Sequence, residues 1–292
     1  MSFGEPWQYE FFRNGIAAAT LAGALCALVG VYVVLRHMSY IGHGLSHAIF
    51  GGAVVSYVSG VNYYLGAGLW GVASALLIGR VARRRQIGAD AAIGIVTTAS
   101  FAIGVALISR GNRFNQNFEA VLFGNVLAVN PAQVLVLAGT AGISCLAILA
   151  LYRQLMFMTF DPEVAPVYGV RSGLVDGVFT LVLAATIITT MQVLGVTLIA
   201  AALVIPPVVA RMLSDSFKNV LLLSVAIGAL CGFVGMYASY FLNIASGPTI
   251  VLTAASVFGL VYAYSSMRKW RDRPGRGRGA DRSSSGREPV FQ

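Results

Sequence analysis

From Ile16 to Met267, runs of apolar residues about 20 long alternate with short clusters of charge, and a helix of that length crosses the ~30 Å of a bilayer's hydrocarbon core. The pattern predicts nine spans, at about 15–35, 40–60, 63–81, 90–109, 131–152, 173–193, 195–212, 218–242 and 248–267. The expected fold is an all-α integral membrane protein, a polytopic bundle of about nine transmembrane helices, with eight as the alternative count if a segment near 1–14 or 115–128 is only interfacial. Residues 1–267 form the expected transmembrane domain and 268–292 a disordered basic tail on the cytoplasmic side, because WRDRPGRGRGADRSSSGREPVFQ has too little apolar surface to offset its ordering entropy.

Composition agrees with this picture: 57% of the 292 residues are hydrophobic and 11% are charged. A soluble domain is usually about 25% charged. The net charge of +9 is a matter of location. Eight of the 20 basic residues, against three acids, lie from Arg268 onward. The others gather at predicted helix ends, with Arg80, Arg83, Arg84 and Arg85, then Arg153 and Arg171, then Arg211 and Lys218 all on one side. A cytoplasmic bias of Lys and Arg explains that side, so the charge reads as topology and attraction to anionic membrane lipid, not nucleic-acid binding. Nine spans then put the N-terminus outside. Glu5 and Glu10 stand where a signal peptide would be basic, so no such peptide is expected. Cys26, Cys145 and Cys231 are scattered through apolar spans and are expected to act as small packing residues. Glycine and alanine recur in the spans, as in GGAV at 51–54 and AGISC at 141–145, which suits close helix packing.

Three segments carry candidate chemistry. The histidines are His37, His43 and His47, and the last two sit four apart in GHGLSHA at the start of the second span. On a helix that spacing turns both imidazoles to one face, where they can bind a transition-metal ion. The competing reading is a pair of interfacial polar residues hydrogen-bonded to a neighbouring helix. Gly44 occupies the place where a zinc-peptidase HExxH helix has its glutamate, and no GxxxxGK[ST] phosphate loop occurs. Any ATP therefore binds another chain. FDPEVAPVYGVR at 160–171 contains two prolines, while Asp161, Pro162 and Glu163 suit the start of a short surface helix able to seat in a soluble partner; a structural turn is the alternative. In QVLGVTLIAAALVIPPVVAR at 192–211, Pro206 and Pro207 are expected to break or kink a span, as in helices that border translocation routes. The polar stretch RGNRFNQNFEAVLF at 110–123 faces outward, as a docking surface or a solvated loop. Asp90 and Asp176 fall at helix starts, where capping accounts for them.

RHMSYIGHGLSHAIFGG (36–52), ADAAIGIV (89–96), FEAVLFGNVLAV (118–129), FDPEVAPVYGV (160–170), QVLGVTLIAAALVIPPVVA (192–210) and SGPTIVLTAA (246–255) together, in this order, resemble the permease family of ABC importers for manganese, zinc and iron. The resemblance implies a plasma-membrane permease of a prokaryote that catalyses no covalent chemistry and holds no permanent cofactor. Its transported divalent metal arrives from an extracytoplasmic metal-binding protein, and ATP binds a cytoplasmic partner subunit. It also implies a permease homodimer working by alternating access. FDPEVAPVYGV then looks like the segment contacting the ATPase, with Asp161 and the matching positions Glu163, Ala165 and Gly169. His47 matches a family histidine, whereas His43 stands where the family usually has an acid. Imidazole suits zinc and carboxylate suits manganese, so this departure tilts the site toward zinc. The rival readings are a gradient-driven secondary metal transporter and an ABC permease for a larger metal chelate.

Overall fold

The structure is a computed structural model and describes residues 5–82, 89–110 and 122–271. All regular elements among these residues are helical. Besides short 3-10 turns at Glu5–Gln8 and Val126–Ala128, they are α1 (Glu10–Leu35), α2 (Ser39–Ser59), α3 (Tyr63–Ala82), α4 (Ala89–Arg110), α5 (Pro131–Ala150), α6 (Tyr152–Phe160), α7 (Ser172–Leu194), α8 (Ile199–Leu213), α9 (Phe217–Leu242) and α10 (Ser246–Arg271). Each predicted span has its helix. Seven of the helices are long and apolar enough to cross a bilayer. Of the other two spans, α2 has 21 residues but carries two histidines and four serines. The last, α8, has 15 residues. At 1.5 Å per residue it reaches only about 22 Å, short of the ~30 Å hydrocarbon core, which corrects the expectation of a full span there. Helix α10 also runs to Arg271, past the expected start of the tail, and the rest of the tail lies outside the described residues.

The helices alternate in direction, and aromatic clusters mark the two ends. At one end Phe12 of α1 meets Tyr237 and Tyr240 of α9, and Trp7 donates to the Tyr237 hydroxyl. At the other, Phe217 packs on Tyr32, Tyr152 and Phe160, joining the end of α1, the start of α9 and α6. Arg36, Arg80, Arg153, Arg171, Arg211, Lys218 and Arg268 all belong to this second, basic end, as the charge pattern predicts.

Helix α1 is the axis of the bundle. Phe12, Leu25, Cys26, Val29 and Tyr32 are all within the core. Its seam with α9 is stitched by glycine: a β-carbon at Gly23 would lie 2.2 Å from the Gly228 carbonyl oxygen, and one at Gly228 2.3 Å from that of Gly23. In lipid, where apolar side chains gain little by leaving the solvent, such close backbone approach is the main source of helix association. The seam of α2 with α4 repeats the device, since a β-carbon at Gly51 would stand 2.1 Å from the Ser100 carbonyl oxygen. GGAV thus packs as expected, but AGISC does not: Gly142 faces open space and Cys145 is exposed. Cys26 and Cys231 are buried packing residues, and Cys145 is the exception.

Pro206 and Pro207 do not break their helix, which continues through both. The missing Pro207 N–H leaves the Leu203 carbonyl without its usual intrahelical donor. That oxygen is covered by α1, where it would lie 2.0 Å from a β-carbon at Gly30. The interruption sits earlier, at Gly195 to Leu198 between α7 and α8, where Gly195 has φ +80°.

Candidate metal centre and coupling segment

Helix α2 begins at Ser39, so His43 and His47 stand about 6 and 12 Å along it from the basic end. Their ring centroids are 4.7 Å apart at an interplanar angle of 82°. His47 also meets Phe101 of α4 edge-on at 5.1 Å. His43 is exposed and His47 partly buried, so the pair opens away from the chain's core. Gly44 between them faces Ile93 and Thr97 of α4 with no room for a side chain, since a β-carbon would come within 2.7 Å of Ile93. Ser46 Oγ donates to the His43 carbonyl oxygen at 2.7 Å and lies 3.2 Å from that of Val196, tying the histidine turn to the interrupted α7–α8 segment. Non-helical backbone at membrane depth survives only where protein or a water-lined cavity satisfies it, and Ser46 is one protein group that does so here.

The pair offers one lone pair per neutral ring. Among the described residues no group of three or more His, Cys, Asp or Glu side chains converges. Two imidazoles are fewer than the four ligands of a tetrahedral metal site. His37 is not in this set. It closes α1 in the left-handed conformation, φ 55°, with Met38 N–H donating to the Val33 carbonyl at 2.8 Å and His37 N–H to that of Val34 at 3.1 Å. That is a Schellman ending with histidine where glycine is usual.

The 160–171 segment is a chain of turns, not the short helix expected. The Asp161 carbonyl accepts from Val164 N–H at 3.2 Å and Ala165 N–H at 3.0 Å, which makes a single helical turn. Pro166 has no N–H to continue it. A second Schellman pair, Val170 N–H to the Ala165 carbonyl at 3.1 Å and Gly169 N–H to that of Pro166 at 3.0 Å, closes the segment with Gly169 at φ +77°. Ala165 is fully buried and anchors the loop, while Asp161, Glu163, Val167 and Tyr168 project outward, Val167 at 83% exposure. Tyr168 stacks on Phe157 of α6 at 5.6 Å. The segment thus has an anchored base and an exposed tip of Val167 and Tyr168 flanked by Asp161 and Glu163.

Two features escaped the sequence reading. Asp176 is no cap: it pairs with Arg36 across the bundle. At the opposite end, segments distant in sequence form a three-way junction. Asn125 N–H donates to the Gln192 carbonyl at 3.3 Å, Thr197 Oγ1 donates to that of Leu122 at 2.8 Å, and Val126 N–H lies 3.4 Å from Ser246 Oγ. Gln133 Nε2 adds a bond to Gln192 Oε1 at 2.8 Å. Glycines at 124, 195 and 247, in FGN, LGV and SGP, were the available signal. Asp90's side chain, Arg83 to Arg85 and most of the 110–123 stretch lie outside the described residues.

A family model described as the ABC 3 transport family matches residues 8–265. The chain belongs to that family. Among its relatives is the manganese transport system membrane protein MntC of Halalkalibacterium halodurans, 32% identical over 283 residues, 97% of each chain. The manganese import system permease protein ScaB of Streptococcus parasanguinis is 35% identical over 251 residues, covering 86% of this chain and 89% of that one. A chain in the structure of PsaBC from Streptococcus pneumoniae in complex with Fab superposes with a TM-score of 0.84 at 29% identity, over 91% of this chain and 97% of that one. This member of the ABC 3 transport family is a multi-pass membrane protein and a transport component rather than an enzyme.

Proposed function

We propose that this chain is the membrane-spanning permease subunit of an ATP-driven importer of a divalent transition metal in a prokaryotic plasma membrane. The observation that carries it is the His43–His47 pair, held on one face of α2 and tied through Ser46 to the interrupted α7–α8 segment. An extracytoplasmic binding protein delivers the ion at the end where Asn125 and Val126 meet Gln192 and Ser246. Two cytoplasmic ATPase subunits seat the 160–171 segments of a two-fold permease dimer, and their closure on ATP switches the pathway between its two faces. The histidines of both copies together supply up to four ligands at the dimer axis, completing the shell one chain leaves open. Relatives named for manganese favour that ion, while two imidazoles favour zinc.

The test is uptake of manganese and zinc into proteoliposomes holding the permease, its ATPase and its binding protein. His43→Ala and His47→Ala should each lower uptake by about 10- to 100-fold, the range for loss of a metal-site interaction, with assembly unchanged. Full-rate uptake by both variants overturns the ligand assignment. Uptake by the permease alone, without ATPase, overturns the ATP-driven reading in favour of a gradient-driven one.

A further inference from the structure

We propose that the Arg36–Asp176 ion pair is a positioning element that carries movement of the 160–171 segment to the paired histidines. The inference rests on the reading of that segment as the ATPase dock and of His43 and His47 as ion ligands.

The two residues sit at the mechanical joints. Ser172, the first residue of α7, follows the docking segment directly, and Asp176 lies one turn further on. Arg36 caps the C-terminal end of α1, just before α2 and its histidines begin. Each charge suits its helix dipole, the cation at a C-terminus and the anion near an N-terminus. The contact joins unequal environments: the arginine side chain is 11% exposed and the aspartate 49%. The guanidinium lies over the Phe179 ring, 5.2 Å from its centre. Its Nη2 donates to Asp176 Oδ1, while its Nη1, the Tyr32 hydroxyl and the Ser172 hydroxyl are buried with no hydrogen-bond partner among the described residues. Asp176 is thus the one side chain among them that fixes this buried cation by a polar bond, and a buried charge left without its partner is strongly destabilising where it stands.

Compliance is arranged to match. The body of α1 packs closely on α9 at Gly23 and Gly228, which ties α1 to the bundle away from Arg36. The left-handed turn at His37 leaves a short, hydrogen-bonded link to α2. Helix α7 is followed at its far end by Val196, which Ser46 of α2 contacts. A shift of α7 therefore reaches the histidine helix by direct packing, through this hydrogen bond and through the ion pair, and the ion pair is the route next to the dock.

The experiment measures ions imported per ATP hydrolysed by the full complex in proteoliposomes, with manganese and with zinc. Asp176→Asn should lower that ratio about tenfold, within the usual range of coupling between sites, while hydrolysis continues near the wild-type rate. Asp176→Glu, which keeps a carboxylate, should retain most of it. The double variant Arg36→Met with Asp176→Asn leaves no uncompensated buried charge, so it should assemble and remain uncoupled; it also serves if the single variant does not assemble. A wild-type ratio in the double variant overturns the proposal, because a pair that only clamps the fold is dispensable once both charges are gone. A wild-type complex that hydrolyses ATP and imports neither metal overturns the functional reading itself, an outcome separate from any effect of these variants.

Discussion

Helices α1 and α5 are of similar hydropathy, yet 67% of the α1 span is buried inside the protein and 17% of the α5 span. Leu135, Ile143, Leu146 and Leu149 of α5 are all more than half exposed, while α1 holds the centre of the core. Hydropathy reports that a segment leaves water and says nothing about whether it meets lipid or protein. What separates the two helices is the register of their small residues. Gly23 and Gly30 of α1 meet backbone, whereas Gly139 and Gly142 of α5 face open space.

The largest effect should come from filling the α1 seam. Gly23→Val places methyl groups into the Gly228 backbone, and overpacking costs about 1–3 kcal/mol, with a backbone clash at the upper end. Size-exclusion chromatography in mild detergent should show loss of the folded permease, while Gly142→Val elutes unchanged; equal behaviour of the two would break the contrast between the helices. A smaller, functional effect is expected at the α2–α4 seam. Gly51→Ala pushes α2 off Ser100, and a displacement of about 1 Å at a reacting site can cost about 100-fold, so metal uptake should fall by up to that factor with the protein still folded. Gly139→Ala in α5 should import normally, and a deficit equal to that of Gly51→Ala would mean that the α2 position is not special. The smallest effect belongs to Gly169→Ala. Open space surrounds it, so only the left-handed backbone is strained, by about 1 kcal/mol. ATPase binding, titrated by fluorescence, should weaken roughly fivefold if that strain is relieved by opening the docking loop.

These contrasts also show what was legible in advance. The spans were, because a ~20-residue apolar run has few alternatives in a chain this poor in charge. The histidine pair was legible because its geometry is local: four residues on a helix make a shared face wherever the helix goes. GGAV and AGISC look alike as strings, and only a neighbour contributed by another helix distinguishes them. Asp176 was assigned to capping because the rule for helix starts is local, whereas its partner Arg36 stands 140 positions away. Of the break or kink expected at the prolines, the break is absent. The carbonyl that Pro207 leaves free is covered by α1 at Gly30, so the helix had no need to break.

The shortness of α8 leaves part of the bilayer's depth to be covered by other backbone. At 15 residues it reaches about 22 Å, roughly 8 Å less than the hydrocarbon core, and the Gly195–Leu198 turn that precedes it has peptide groups to satisfy within the protein. Thr197, whose N–H and hydroxyl both donate to the Leu122 carbonyl, meets part of that demand.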